Sequence, residues 1–170
     1  QSIDLLLGVA EKLKEREDIR FKIAGKIGAE IDYKKMAEQR KLDNIDFPGF
    51  VEKEKVPQLL VDSDILVLPR RMNNIALSAY PSKLSEYIAS GNAVIATNFG
   101  EHKPVIGKNE RGILVEPNLE SITEAILKLA DDKALREKLG RAAKEYAFEN
   151  YTWEKIGEKL DKFFDQIMSL

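Results

Sequence analysis

The segment Tyr80-Pro81-Ser82-Lys83-Leu84-Ser85-Glu86-Tyr87-Ile88-Ala89-Ser90-Gly91-Asn92-Ala93-Val94-Ile95-Ala96-Thr97 reads as loop, helix, turn and buried strand. Ser82 is a favourable N-cap, with Ser85 three residues on. Gly91 stands where a left-handed residue commonly ends a helix. Ala93-Val94-Ile95-Ala96-Thr97 has the length and composition of a strand covered on both faces. A helix that follows a strand and its loop turns its free N–H groups and positive dipole end toward the crevice at the strand ends, where phosphate binds readily. Lys83 in the first turn opposes that dipole, a conflict that a bound anion relieves. Glu86, one turn in, is placed to accept hydrogen bonds from ribose hydroxyls. Each residue alone also has a plainer reading: Ser82 as a cap, Lys83 and Glu86 as solvated helix positions.

The alternation extends in both directions. Upstream, Ile65-Leu66-Val67-Leu68, closed by Pro69, reads as a central parallel strand buried on both faces. Residues 70–81 form a loop carrying Arg70, Arg71, Asn73 and Asn74. Ile3, Leu6, Leu7, Ala10 and Leu13 share one helical face over residues 3–16, and Phe21, Ile23 and Ala24 make a short strand. Residues 31–41 are polar and helix-prone, Ile45 to Val51 reads as strand and turn, and Val56, Leu59 and Leu60 mark another helix. Downstream, Gly112-Ile113-Leu114-Val115 is a third buried strand. Three helical stripes follow: Ile122, Ala125, Ile126 and Leu129; Leu135, Leu139, Ala142, Ala143 and Tyr146; Trp153, Ile156, Leu160, Phe163, Phe164 and Ile167. Strands alternating with helices imply an α/β fold, a parallel sheet with helices on both faces. Ligands bind such sheets outside the carboxyl ends of the strands. The loops of interest are therefore residues 25–30, 49–53, 69–82 and 97–104.

The chain of 170 residues suits a single domain spanning residues 1–170, and its 44% hydrophobic residues suffice for a core. A formal net charge of −2 gives no global basic field, which disfavours nucleic-acid binding. The absence of cysteine excludes disulfides, thiolate metal ligands and a cysteine nucleophile, and fits a reducing cytoplasm. His102 is the only histidine, and no carboxylate cluster typical of a metal–diphosphate site is visible, so neither a metal nor a dissociable cofactor is expected. No apolar run approaches the roughly 20 residues that span a bilayer. Gln1 falls directly before a helical pattern, so the chain is expected to be a piece of a longer protein.

Residues 81–97 resemble the donor-site helix and strand of the retaining glycosyltransferases of the GT-B fold, the glycosyl transferases group 1 family. Pro81-Ser82-Lys83, Glu86-Tyr87, the Ala89-Ser90-Gly91 turn and Val94-Ile95-Ala96-Thr97 carry the likeness. Other segments agree in order and spacing: Phe47 to Val51, Val56 to Leu60, Asp64 to Pro69, Arg111 to Pro117, and Tyr151-Thr152-Trp153-Glu154. The resemblance covers nearly the whole chain. It implies the C-terminal, nucleotide-sugar-binding lobe: a Rossmann-like parallel sheet whose first strand lies before Gln1, with a helical C-terminal tail. It implies that Glu86 binds the donor ribose, that the backbone N–H groups of Ser82 and Lys83 meet the diphosphate, and that Phe50 and Val51 contact the base. Gly100 stands where the family often has small residues, and would let backbone approach the sugar phosphate; it reads equally as a plain turn glycine. The substrate implied is a nucleoside-diphosphate sugar of UDP, GDP or ADP type. The partner implied is an N-terminal acceptor-binding domain, through which alone peripheral membrane contact would come.

Two departures bear on activity. The first glutamate of the family's pair would fall at Ser78, eight positions before Glu86. The family's Gly-Arg strand and basic loop would lie before Gln1. Gly25-Lys26-Ile27-Gly28 lacks the third glycine and the spacing of a dinucleotide signature. His102 reads as a loop residue rather than a general base, and Arg70, Arg71 and Lys103 as a basic rim. Competing readings are an epimerase or hydrolase lobe of the same fold, a flavodoxin-like regulatory domain, and a non-catalytic lobe.

Overall fold

A computed structural model describes residues 2–25, 31–71 and 82–169. In chain order the elements are α1 (Ile3–Lys12), β1 (Phe21–Ala24), α2 (Tyr33–Gln39), β2 (Ile45–Gly49), a 3-10 turn (Lys53–Lys55), α3 (Val56–Val61), β3 (Ile65–Leu68), α4 (Ser82–Ser90), β4 (Ala93–Thr97), α5 (His102–Ile106), β5 (Ile113–Val115), α6 (Leu119–Asp131), α7 (Lys133–Asn150) and α8 (Trp153–Met168). Among the described residues all strand pairings are parallel, and the expected Rossmann-like α/β architecture with a helical tail is present. No helix among the described residues is long and apolar enough to cross a membrane.

The strands fall into two groups, β1–β2 and β3–β4–β5. The central strand of the larger group is β4. Its five residues are all buried, and their alternation builds both faces. Ala93 and Ile95 join Val9, Ile122, Ile126 and Leu129 beneath α1 and α6. Val94 and Ala96 join Leu84, Ile88, Val105 and Ala143 beneath α4, α5 and α7. The expectation that Ile65–Leu68 is a central strand is not met among the described residues: there β3 pairs with β4 alone, and Ile65 and Val67 are only half-buried. A third cluster of Leu7, Ala10, Ala37 and Leu42 packs α1 and α2 on one face of β1–β2.

The first helix is shorter than its apolar pattern, ending at Lys12 with Leu13 as its cap, although Leu13 remains buried. Residue 102 is not in a loop but opens a helix that the sequence reading lacked. Gly91 closes α4 at a φ of +86°, as its position predicts.

Among the described residues the tail ends in an exposed apolar surface. On α8, Trp153 is 85% exposed and Met168 86% exposed, and Leu160, Phe163, Phe164 and Ile167 are exposed with them. Such a continuous apolar face favours association. The chain is expected to show concentration-dependent self-association in sedimentation, abolished by joint Phe163→Glu and Phe164→Glu changes; a monomer at high concentration would count against it.

Candidate functional site

The carboxyl ends of β1 and β2 and the start of α4 enclose a cavity of about 360 Å³. Phe50 and Val51 enter from the turn after β2, Lys83 and Glu86 from the first two turns of α4, Lys22 and Ala24 from β1, and Gly25 from just beyond its end. Val56, Leu59 and Leu60 of α3 supply an apolar wall, with Tyr87 beside Glu86. The wall follows from local sequence. Pro57 sits in the first turn of α3, where its missing N–H costs nothing. Asn92 then donates to the Leu60 and Val61 carbonyls at 2.6 and 3.1 Å, tying the end of α3 to the turn after α4.

Gly49 makes the turn after β2 possible. It holds φ at +74°, and its carbonyl accepts the Gly25 N–H at 2.8 Å, bringing the ends of β1 and β2 together. Phe50 is left 66% exposed at the mouth, a flat aromatic surface of the kind on which a base stacks. Leu84 and Ile88, 1% and 0% exposed, lock α4 onto β4, so Lys83 and Glu86 project from a fixed helix. Among the described residues neither forms a side-chain hydrogen bond or ion pair. Burial raises the Tyr87 phenol above its ordinary range, with the Glu86 charge adding to the effect, so Tyr87 stays protonated and can donate.

Four of the residues singled out from sequence, Phe50, Val51, Lys83 and Glu86, thus share one cavity. Ser82 and Gly100 do not line it. Ser82 is exposed and is the first residue of α4 rather than the residue ahead of it. Gly100 is exposed beyond the carboxyl end of β4, at a φ of +50°. Lys26, Asn73, Asn74 and Ser78 lie outside the described residues. Lys22, Leu59, Leu60 and Tyr87 were not read as lining residues from sequence; the period-2 alternation of β1 was the available signal for Lys22. Arg71 pairs with Asp4 rather than facing a ligand.

His102 is 1% exposed. Its Nδ1 lies 2.8 Å from the Thr97 carbonyl, and its ring packs on Phe99 at 4.9 Å between centroids. Burial lowers its pKa, partly offset by the Thr97 bond, and Arg70 lowers it further. The neutral imidazole therefore donates from Nδ1 and tethers the loop that carries Gly100. Because the folded pKa lies below the unfolded one, near 6.5, this contribution is intact above that pH and declines as pH falls below it. The urea midpoint is expected to drop between pH 7.5 and 5.5, and to drop less in His102→Leu; parallel curves would sink the assignment. No other imidazole titrates in this window, since the chain has one histidine.

Comparisons with known proteins bear on the family and the fold. Residues 1–146 match the family model described as glycosyl transferases group 1. The alpha-D-kanosaminyltransferase of Streptomyces kanamyceticus is 25% identical over 160 residues, 93% of this chain and 40% of that protein. The C-terminal domain of a group 1 glycosyl transferase, LpcC of Francisella tularensis, superposes with a TM-score of 0.78 at 26% identity, covering 90% of this chain and 80% of that one. TarM of S. aureus, solved with UDP among its ligands, gives a TM-score of 0.77 at 26% identity over 96% of this chain and 33% of that one. The chain spans 32% to 45% of the length of the first curated relatives it matches. With the family model matched over most of the chain and the α/β lobe in place around the α4 cavity, the chain belongs to the group 1 glycosyl transferases.

Proposed function

We propose that this chain is the donor-binding lobe of an enzyme that transfers a sugar, with retention of configuration, from a nucleoside-diphosphate sugar to an acceptor held by a second lobe. The observation that carries the reading is the gathering of Phe50, Val51, Lys83 and Glu86 around one cavity at the carboxyl edge of the sheet. Phe50 and Val51 receive the base and Glu86 accepts the ribose hydroxyls. The N–H groups of Ser82 and Lys83 at the start of α4, with the Lys83 ammonium, meet the diphosphate. Gly100 lets the loop after β4 approach the sugar phosphate. As the glycosidic bond breaks, negative charge grows on the leaving diphosphate. The aligned N–H groups and Lys83 stabilise that charge more than they stabilise the bound donor. On this reading no metal ion is required, and the lobe alone binds donor but transfers nothing.

Calorimetric titration with UDP, GDP and ADP in the presence of EDTA tests this. One diphosphate is expected to bind in preference to the other two, and the corresponding nucleoside more weakly than its diphosphate. Equal or absent binding of all three to the folded full-length protein would overturn the reading.

A further inference from the structure

Arg111, in the stretch that leads into β5, does not line the α4 cavity. Its side chain is 18% exposed. Nε donates to the Val105 carbonyl at 2.7 Å and Nη2 to the Pro104 carbonyl at 3.0 Å, while its backbone N–H donates to the Ile106 carbonyl at 3.1 Å. One residue thus satisfies three successive carbonyls at the carboxyl end of α5, where the helix dipole favours a cation. The flat face of the guanidinium lies over the Tyr146 ring of α7, 4.1 Å from its centroid. Tyr146 is braced edge-on by Tyr151, with 5.9 Å between ring centroids. Glu110, 3.4 Å from Nη1 and largely exposed, adds little.

The arrangement is specific to arginine. Two donors on one edge of a planar group meet two carbonyls while its face meets a ring; a lysine ammonium is a point charge and cannot do both. The approach also needs Gly107, whose φ is +69°. A Cβ there would stand 2.9 Å from Arg111 Nη2 and 2.8 Å from Glu110 Oε2.

What Arg111 holds is a helix that cannot hold itself. α5 has five residues, and Pro104 within it has no N–H to donate. Val105 and Ile106, 2% and 0% exposed, seat it on the core, but apolar burial is non-directional. Directional bonds fix it at two ends: His102 Nδ1 to the Thr97 carbonyl in front, and Arg111 behind. The backbone N–H groups of His102 and Lys103 bond the Phe99 and Gly100 carbonyls at 3.2 and 3.3 Å, so the Gly100 turn is continuous with α5 and moves with it. Without the rear attachment, α5 pivots about His102 and carries Gly100 along.

We propose that Arg111 is a positioning residue for donor binding: stacked on Tyr146, it holds α5, and through it the Gly100 turn, where that turn meets the sugar-bearing phosphate. The proposal rests on the functional reading above. Its test is calorimetry on the full-length protein and on Arg111→Lys, Tyr146→Leu and Tyr146→Phe, with whichever of UDP, GDP and ADP the native protein prefers and with the corresponding monophosphate. Arg111→Lys and Tyr146→Leu are expected to lose about tenfold in affinity for the diphosphate and less than about twofold for the monophosphate, which lacks the phosphate that Gly100 meets. Tyr146→Phe, which keeps the ring face, is expected to retain the native values. Amide exchange at Lys103 and Gly107, bonded to the Gly100 and Lys103 carbonyls, is expected to quicken in the first two variants and not in the third. Quickened exchange with unchanged diphosphate affinity overturns the proposal, and so does an equal loss for both nucleotides. If the native protein binds none of the three diphosphates, the functional reading fails and the proposal with it. If Glu86→Ala weakens binding while Arg111→Lys and Tyr146→Leu do not, the reading stands and the proposal alone fails.

Discussion

Replacing Gly140 with alanine is expected to destabilise the protein by about 3 kcal/mol, because overpacking a close backbone contact costs that much. Gly140 lies within α7, where alanine would ordinarily add about 1 kcal/mol of helix propensity. Here the sign reverses. A methyl group at 140 would overlap the Gly91 carbonyl oxygen and stand 2.9 Å from its carbonyl carbon. Both obstacles are backbone, and Gly91 is held in a left-handed turn that no side chain can rotate to relieve. The helix must therefore lift off the α4–β4 turn, stripping Ala143 and Ala147 from the cluster they share with Leu84 and Ile88. In a domain of this size the loss corresponds to a fall of roughly 10 °C in Tm. Since Leu84 and Ile88 seat α4, nucleotide affinity is expected to fall with it. An unchanged Tm in Gly140→Ala would show that α7 does not set the position of α4.

That contact was invisible in the sequence. An isolated helical glycine shows no sign of what approaches it, and Gly91 was readable only as a helix stop. What was readable were features whose cause is local. The run from Ala93 to Thr97 has no polar residue before its last position, and it proved to be the strand buried throughout. The stripe of Ile122, Ala125, Ile126 and Leu129 is wholly buried, as its spacing requires. The misreading of Ile65–Leu68 as central has a physical origin as well. An apolar run reports the environment a strand is built for, and β3 has the composition of an interior strand although, among the described residues, it stands at the edge of its sheet beside a cavity shared with β1.

The site divides the same way. Glu86 and Lys83 were singled out because a helix that follows a strand in this fold opens on the crevice, and Phe50 and Val51 through the family resemblance; all four line the α4 cavity. Ser82 was named for its place at the helix start and Gly100 from the resemblance, and neither is among the residues that line the α4 cavity. A sequence distinguishes the end of a strand from its middle, but not which of two neighbouring strand ends a pocket adjoins. His102 was misjudged for a related reason. A stretch such as Gly100-Glu101-His102-Lys103 reads as loop, whereas a short helix starts at His102, whose ring packs on Phe99 and bonds the Thr97 carbonyl.

Glu86→Ala is expected to lower affinity for the preferred nucleoside diphosphate roughly 150-fold, about 3 kcal/mol, the loss of hydrogen bonds to a charged acceptor. The carboxylate is exposed at the cavity, anchored only through the helix behind it, so its removal leaves no void in the core. The fold should be unaffected, with stability unchanged within about 0.5 kcal/mol, as for surface substitutions generally. Glu86→Gln separates geometry from charge: it keeps one acceptor oxygen and places a donor where a ribose hydroxyl must donate. Its expected loss is smaller, about tenfold, consistent with exchanging a charged for a neutral hydrogen bond. The 2′,3′-dideoxy nucleotide supplies the decisive comparison. It should bind the native protein as weakly as the full nucleotide binds Glu86→Ala, and the two losses should not add, because each removes the same pair of bonds. If they do add, Glu86 does not hold the ribose, and its place at the mouth serves the electrostatics of the cavity, where it faces Lys22 and Lys83.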